Sequence, residues 1–344
     1  MTRVQAHARS VERIVRAHGG GGELMNRFLV DHVLVRLGNA KLNELTDGAV
    51  LESPTARLVF TTDSYVVQPL EFPGGGIGRL AVCGTVNDLA VMGGRPLGLS
   101  LGLIVEEGFE LDRLDRLLDS IAVAAGEAAV DVVTGDTKVV ERQNGDGLYI
   151  NTAGVAALDD SVQLGFAFVR PGDAVVINGT IGDHGLAVLS VREGLEFDTT
   201  LESDAAPLNG LIQRVLGAGV RVRFMRDATR GGLAAVLADV AERSGWSVEI
   251  EESEIPCRPA TRAAAELLGL DLLHVANEGK VVMVIDGDDV ERCLSVLREH
   301  SYGRRSAAIG RVTDSQPPLV ELMTRVGGRR IVARPYGEDL PRIC

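Results

Sequence analysis

The sequence predicts an α/β protein of two domains followed by a C-terminal tail, and three observations carry that expectation. The first is length: 344 residues exceed the usual size of one domain, taken as roughly 150 residues. The second is alternation. β-rich runs of period 2 give way repeatedly to apolar runs of period 3.6, most clearly where LVFTTDSYVV (58–67) passes through PGGGIGR into a helical stretch at 80–92. The third is where the pattern stops: after Ile331-Val332 the last twelve residues, ARPYGEDLPRIC, hold too little apolar surface for a core element.

Taken in order, residues 1–40 form an N-terminal segment with the glycine loop 19–22. Residues 41–160 form the first domain, with a strand at 58–67 and a helix at 80–92 closed by Gly93-Gly94-Arg95-Pro96. A strand at 97–105, an amphipathic helix at 110–129 and strands at 130–140 and 148–157 complete it. Pro171-Gly172-Asp173 is a turn signal, so the boundary falls within 158–172. Residues 170–332 form a second α/β domain, with strands at 174–178, near Val222, near Val248 and at 281–285. Its helices fall at 184–192, 207–216, 230–244, 258–268 and 288–299. Residues 333–344 are read as a mobile tail that, extended, reaches ~40 Å, far enough to carry Cys344 to a distant site.

Composition narrows the function. A hydrophobic content of 45% with 41 glycines and 4% aromatics is that of a globular protein packed with Ala, Val and Leu. The net charge of -13 argues against a nucleic-acid groove or an anionic membrane as partner, since both require concentrated Lys and Arg. No signal-peptide core occurs among the first fifteen residues, and no apolar run of ~18 residues occurs anywhere, so a cytoplasmic protein is expected. Four scattered cysteines without a CxxC indicate neither zinc nor a disulfide framework. Cys83 and Cys293 read as core residues, whereas Cys344 stands last.

No Walker motif and no dinucleotide fingerprint is present. Instead, acids recur at strand ends and loop mouths: Asp47 in TDGA, Asp63 in FTTDSYVV, Asp88 in GTVNDLA, Asp136 in TGDTKVV and Asp227 in RDATRGG. Each alone serves as an N-cap or turn residue, but several converging would suit Mg²⁺, which takes oxygen ligands and bridges phosphates. GTVNDLA and DATRGGLA set glycines, hydroxyls and an acid beside helical runs, where phosphates can approach closely. Asp136 and Lys138 lie two apart on one strand, as do Glu278 and Lys280 in ANEGKVV. Either pair forms a plain salt bridge or, in a nucleotide site, makes Lys138 and Glu278 acid/base candidates.

The segments AHGGGGELMNRFL, FTTDSYVVQPLEFPGGGIGRLAVCGTVNDLAVMGG, TGDTKVV, RDATRGGLA, NEGKVV and the terminal PRIC, taken in that order, closely resemble the HypE family of hydrogenase maturation factors, from about His18 to Cys344. That family is similar in turn to aminoimidazole ribonucleotide synthetase, selenophosphate synthetase and thiamine-phosphate kinase, which lack the PRIC tail. The resemblance implies a two-domain PurM-like fold, a homodimer in which the N-terminal domains form a β-barrel-like centre, and ATP with Mg²⁺ in a cleft between domains. It places the nucleotide at Gly20, Gly22, Asp47, Thr85, Asn87, Asp88, Thr137, Asp227, Arg230 and Gly231, and the metal at Asp63, Asp88 and Asp136. It gives the chemistry to Cys344, Lys138 and Glu278. In the implied reaction a carbamoyltransferase, HypF, loads a carbamoyl group onto Cys344, ATP drives its dehydration to a thiocyanate, and a HypC–HypD complex accepts the nitrile for a [NiFe]-hydrogenase iron centre. Two alternatives are another small-molecule kinase or synthetase of the superfamily and a nucleotide-binding assembly scaffold without turnover. Prenylation is not expected, because a CaaX cysteine stands fourth from the end.

Overall fold

The structure is a computed structural model that describes residues 13–15, 28–40, 43, 57–195 and 201–334. Gly20, Gly22, Asp47, Cys344 and the chain from 335 onward lie outside the described residues.

In the first domain, β1 (Arg57–Tyr65) leads through a short ribbon, β2 (Glu71–Phe72) and β3 (Gly75–Gly76), into helix α1 (Ile77–Val91). There follow β4 (Arg95–Glu106), α2 (Leu111–Ala128), β5 (Val132–Val140) and β6 (Leu148–Leu158). The sheet order is β1-β6-β4-β5. β4 and β5 run parallel because α2 returns the chain between them, and the other two pairings are antiparallel. Leu111, Leu114, Leu118, Ile121 and Ala125 of α2 recur at helical spacing and are buried. Helix α1 differs: every residue but Arg79 and Asp88 is buried. A helix that is apolar all round needs cover on all sides. The first domain covers one side, and on the other Ala90 and Val91 join a core with Leu208, Leu211 and Ile212 of the second domain.

Among the described residues, only one face of this sheet is covered. Leu99, Leu101, Leu103 and Val105 of β4 are buried, while Leu58 and Phe60 of β1 and Ile104 of β4 stand 55%, 68% and 42% exposed on the other face. An open apolar face of this kind marks an interaction surface rather than a solvated one.

The second domain runs β7 (Ala174–Ile177), α3 (Asp183–Arg192), α4 (Asn209–Gly217), β8 (Val222–Asp227), α5 (Gly232–Ser244), β9 (Ser247–Glu251) and α6 (Pro259–Leu268). It continues with β10 (Val281–Ile285), α7 (Val290–Arg298), β11 (Ala307–Thr313), β12 (Val320–Met323) and β13 (Arg329–Ile331). The sheet order is β13-β12-β9-β11-β7-β10-β8. Val175, Ile177, Val282 and Val284 pack toward α5, and Val176, Met283 and Ile285 pack toward α4 and α7. Burial on both faces explains why AVVI and VVMVI are continuous apolar runs.

Strands β11 to β13 carry no clear pattern in the sequence, and β13 is exposed throughout. Cys83 and Cys293 are buried, and burial pushes both thiols up to about 12, which leaves neither as a nucleophile. Among the described residues, no helix is long and apolar enough to cross a membrane.

Candidate active site

Two carboxylates come from each domain. Asp63 lies on the covered side of β1, between Thr61 and Tyr65 in the alternation. The Thr61 hydroxyl donates to Asp88 Oδ2 at 3.0 Å and so ties β1 to the last turn of α1. The Tyr65 hydroxyl, buried, donates to Asp63 Oδ2 at 3.2 Å. Gly84 makes room for it, since a Cβ there would run into that hydroxyl. In the second domain Asp227 ends β8 opposite Val281 of β10, and Ala228 N–H donates to Lys280 O at 2.9 Å. That pairing brings the turn carrying Glu278 alongside Asp227. The Asn277 side chain locks the turn, donating to Ala228 O at 2.8 Å and accepting from Gly182 N–H at 2.8 Å.

Three of these acids are raised, and their causes reach across the domain junction. Burial raises Asp88 above the usual carboxylate range, and the charge of Asp63 adds to it against the Thr61 hydrogen bond. Burial, then the charge of Asp88, pushes Asp227 up to about 7. Glu278 is 3% exposed and is raised well above its ordinary value, by burial first and then by Asp227, Asp204, Asp63 and Asp88. Like charges gathered in a poorly solvated place make a site for a cation or for protons.

The junction is held by polar contacts. Asn87 donates to Ala206 O at 3.1 Å and to Glu278 O at 3.2 Å, and accepts from Leu208 N–H at 2.8 Å. On the other side of the turn Asp204 accepts from Glu278 N–H at 3.0 Å and from Lys280 Nζ at 2.7 Å, and this ion pair is almost fully buried. Lys280, Asp204, Arg79, Glu127 and Tyr302 line a cleft of about 590 Å³ between the domains.

Several expectations need correcting. Asn87 is an interdomain strut with its amide fully engaged by backbone, and Thr85 is buried with its hydroxyl 2.6 Å from that of Thr152, so neither side chain is free for a nucleotide. Thr137 is buried as well, although its N–H caps Asp136 Oδ1 at 2.9 Å. Asp136 does not join Asp63 and Asp88 within one chain. It shares its cross-strand row with Gly102, Asn151 and Ser64, whereas Asp63 shares the next row with Thr152, Leu101 and Gly135. Adjacent rows point to opposite faces, and β1 and β5 are the two edges of the sheet, three strand spacings or ~14 Å apart. Lys138 pairs with Asp136 at 3.0 Å on the open face, both about two-thirds exposed, and so stands apart from Glu278. Glu278 and Lys280 do not pair with each other, because Lys280 turns to Asp204. At the DATRGG junction Gly231 and Gly232 take left-handed φ of 73° and 58°. The amides of Gly232 and Ala234 are already bonded, to Thr229 O and Leu273 O. Arg230 stays exposed, with its charge felt at Asp88. Tyr65 and Asp204 escape motif reasoning, the first because it reads as a strand aromatic and the second because it stands in an unpatterned segment.

Residues 45–158 match the N-terminal domain, and residues 170–321 the C-terminal domain, of AIR synthase related proteins. The fold and the carboxyl cluster at its domain junction thus define a two-domain protein of that class. Within it, carbamoyl dehydratase HypE of Rhizobium leguminosarum bv. viciae is 46% identical over 346 residues, which cover 99% of each chain. A crystal structure of hydrogenase maturation protein HypE in complex with ATP matches with a TM-score of 0.92 at 41% identity, over 96% of this chain and 99% of that one. HypE in a crystal structure of the HypE–HypF complex matches with a TM-score of 0.79 at 44% identity, over 89% and 99%. The chain belongs to the HypE family.

Proposed function

We propose that the chain uses ATP to dehydrate an S-carbamoyl group on its own Cys344 to a thiocyanate, as the source of a cyanide ligand for a [NiFe]-hydrogenase iron centre. The observation that carries this reading is the convergence of Asp63 and Asp88 from one domain with Asp227 and Glu278 from the other. An amide oxygen is a poor leaving group, so the γ-phosphoryl group moves first: the carbamoyl oxygen bonds to phosphorus and ADP departs. One N–H proton leaves as the imidate phosphate forms. The second leaves as the C–O bond breaks, and phosphate carries the former amide oxygen away from S–C≡N. Glu278, whose proton affinity is raised by burial and by its acidic neighbours, would accept a proton in these steps.

The donor set fits Mg²⁺: it is all oxygen, and a divalent cation relieves the mutual repulsion of the carboxylates. Among the described residues no group of three or more His, Cys, Asp or Glu forms a ready metal cage. Mg²⁺ bridging nucleotide phosphates needs only one or two carboxylates, and Asp63 and Asp88 are the residues that would hold it. Bound there, it would neutralise charge on the transferring phosphoryl group. Arg230 and Asp227 flank the same place.

The open sheet face with Leu58, Phe60 and Ile104 supports a homodimer whose two sheets close into a barrel-like centre. A junction between β5 of one copy and β1 of the other would bring Asp136 and Lys138 to the seam beside β1, where Lys138, reaching round the strand edge, would join the proton transfers. HypF as the loading partner, a HypC–HypD complex as acceptor and a cytoplasmic setting complete the reading. The test is to incubate carbamoyl-loaded protein with Mg-ATP and to weigh the C-terminal peptide by mass spectrometry. Loss of one water is expected; ATP consumption with the carbamoyl mass intact refutes the dehydratase.

A further inference from the structure

The seam between the domains has a second mouth, opposite in charge to the first. Arg79 stands nine positions before Asp88 on α1, ~14 Å along the axis at 1.5 Å per residue. Beside Asp88, the amide of Asn87 closes the seam against Ala206 O and Glu278 O. The cleft of about 590 Å³ at the Arg79 end therefore lies apart from the carboxyl cluster. Arg79, Arg258, Lys280, Arg304 and Arg305 line it, against the acids Glu127, Glu202 and Asp204. In a chain of net charge -13, this local excess of positive charge runs against the average of the molecule.

Part of that charge is already spent. Arg79 donates to both carboxylate oxygens of Glu127, at 3.1 and 2.7 Å, and Lys280 neutralises Asp204. The rest is not. Arg304 and Arg305, exposed just after the turn Ser301–Gly303, form no hydrogen bond or ion pair among the described residues. Arg258 leans on Asp183 at 3.3 Å and stays 44% exposed. Lys280 is 8% exposed, yet its Nζ uses two of its three N–H groups, on Asp204 Oδ2 at 2.7 Å and Gly279 O at 3.2 Å. Gly179 keeps the space beside its stem clear, since a Cβ there would stand 3.0 Å from Lys280 Cε.

The walls select the class of ligand. Among the described residues, Ala205 and Ala206 are the only aliphatic side chains in the lining, and Tyr302 spends its hydroxyl on Glu127, so a docked peptide or lipid chain finds little to bury against. Guanidinium forks and an ammonium come from α1, from the start of α6, from the Glu278 turn and from residues 304–305. That arrangement suits an anion with oxygens on several sides, as a phosphate has, better than a planar carboxylate. The volume is larger than one orthophosphate fills and is that of a small-molecule site. We propose that this cleft is a second anion site, taking the polyphosphate group of a small molecule without a metal ion, on the reverse of the turn that carries Glu278. The inference stands independently of the reaction proposed above.

Pyrophosphate is titrated into full-length protein by isothermal calorimetry at low salt with excess chelator. Without a divalent cation the carboxyl cluster repels an anion, so the heat reports the cleft. Saturable one-site binding is expected. The double variant Arg304→Gln/Arg305→Gln should weaken it about tenfold or more, while its affinity for Mg-ATP stays that of wild type. Arg311→Gln, at an arginine 70% exposed on β11 and outside the cleft, should leave pyrophosphate binding unchanged. No saturable binding by wild type, binding that appears only when Mg²⁺ is added, or equal affinities for wild type and the double variant each overturns the proposal. A fall with Arg311→Gln as large as that of the double variant assigns the effect to overall charge and overturns it too. Should the double variant fail to fold, the single changes Arg304→Gln and Arg305→Gln decide: wild-type affinity in both refutes the site.

Discussion

Asp227→Asn tests the carboxyl cluster without any turnover. Burial and the charge of Asp88 move Asp227 from 3.8 to about 7. At 1.36 kcal/mol per unit, that rise corresponds to ~4 kcal/mol of stability linked to pH. Between those two values the unfolded chain has released the proton that the folded protein still holds. This contribution is therefore full below about pH 4, falls as pH rises through the window, and is gone above about pH 7. Partial exposure of Asp227 admits water, which screens the ionised form and leaves about 1–2 kcal/mol to be read between pH 5 and pH 8. Asparagine keeps the shape and cannot ionise. It also removes a charge that raises Glu278, so the slope it abolishes is larger than its own share. Urea unfolding of both proteins at pH 5 and pH 8, with chelator and without nucleotide, measures the difference. The variant should gain stability relative to wild type on going to pH 8, whereas parallel pH dependences would show that Asp227 ionises as it does in water.

Glu278→Gln should retain ATP binding while thiocyanate formation slows at least tenfold, read by single-turnover mass spectrometry, because the amide cannot take the N–H proton. Gly84→Ala should cost about 1–3 kcal/mol in urea unfolding, and a second change, Tyr65→Phe, should recover part of it by removing the hydroxyl that the new methyl meets. Asp204→Ala leaves the buried Lys280 ammonium without its partner, so a loss of about 3–5 kcal/mol is expected by the same measurement. Phe60→Asp on the open sheet face should convert a dimer to monomers in sedimentation velocity with the circular dichroism spectrum unchanged; an unaltered sedimentation coefficient would remove that face from the interface.

Which parts of this were legible in the sequence follows from what each part depends on. The alternation of strand and helix was visible because β7 and β10 are buried on both faces and α2 on one, and each situation imposes its own apolar period. Asp63, Asp88 and Asp227 were visible because each is an acid in the last turn or last residues of its strand or helix. Asp136 looked equivalent to them, and only sheet order and row parity reveal that it occupies the far edge and the other face. The period-2 argument for Glu278 and Lys280 failed for a local reason: β10 begins at Val281, so these residues belong to a turn and the side of each is set by tertiary partners. One such partner, Asp204, lies 76 positions before Lys280 and has no motif of its own. Asn87 misled for the opposite reason, since a polar residue in a phosphate-like motif has the same composition whether it meets a ligand or joins two domains.

That strut has a consequence for how the reaction is controlled. Asn87 joins α1 to the backbone of residues 206, 208 and 278, one position before Asp88 on the same helix. The carboxylates of the two domains are therefore held in register before any ligand arrives, and their mutual repulsion is built into the folded protein rather than created by domain closure. A site already assembled in this way gains little from a hinge motion. Selectivity then rests on what is brought to it: a polyanion with its cation to neutralise the acids, and the thiol-borne substrate of the proposed reaction.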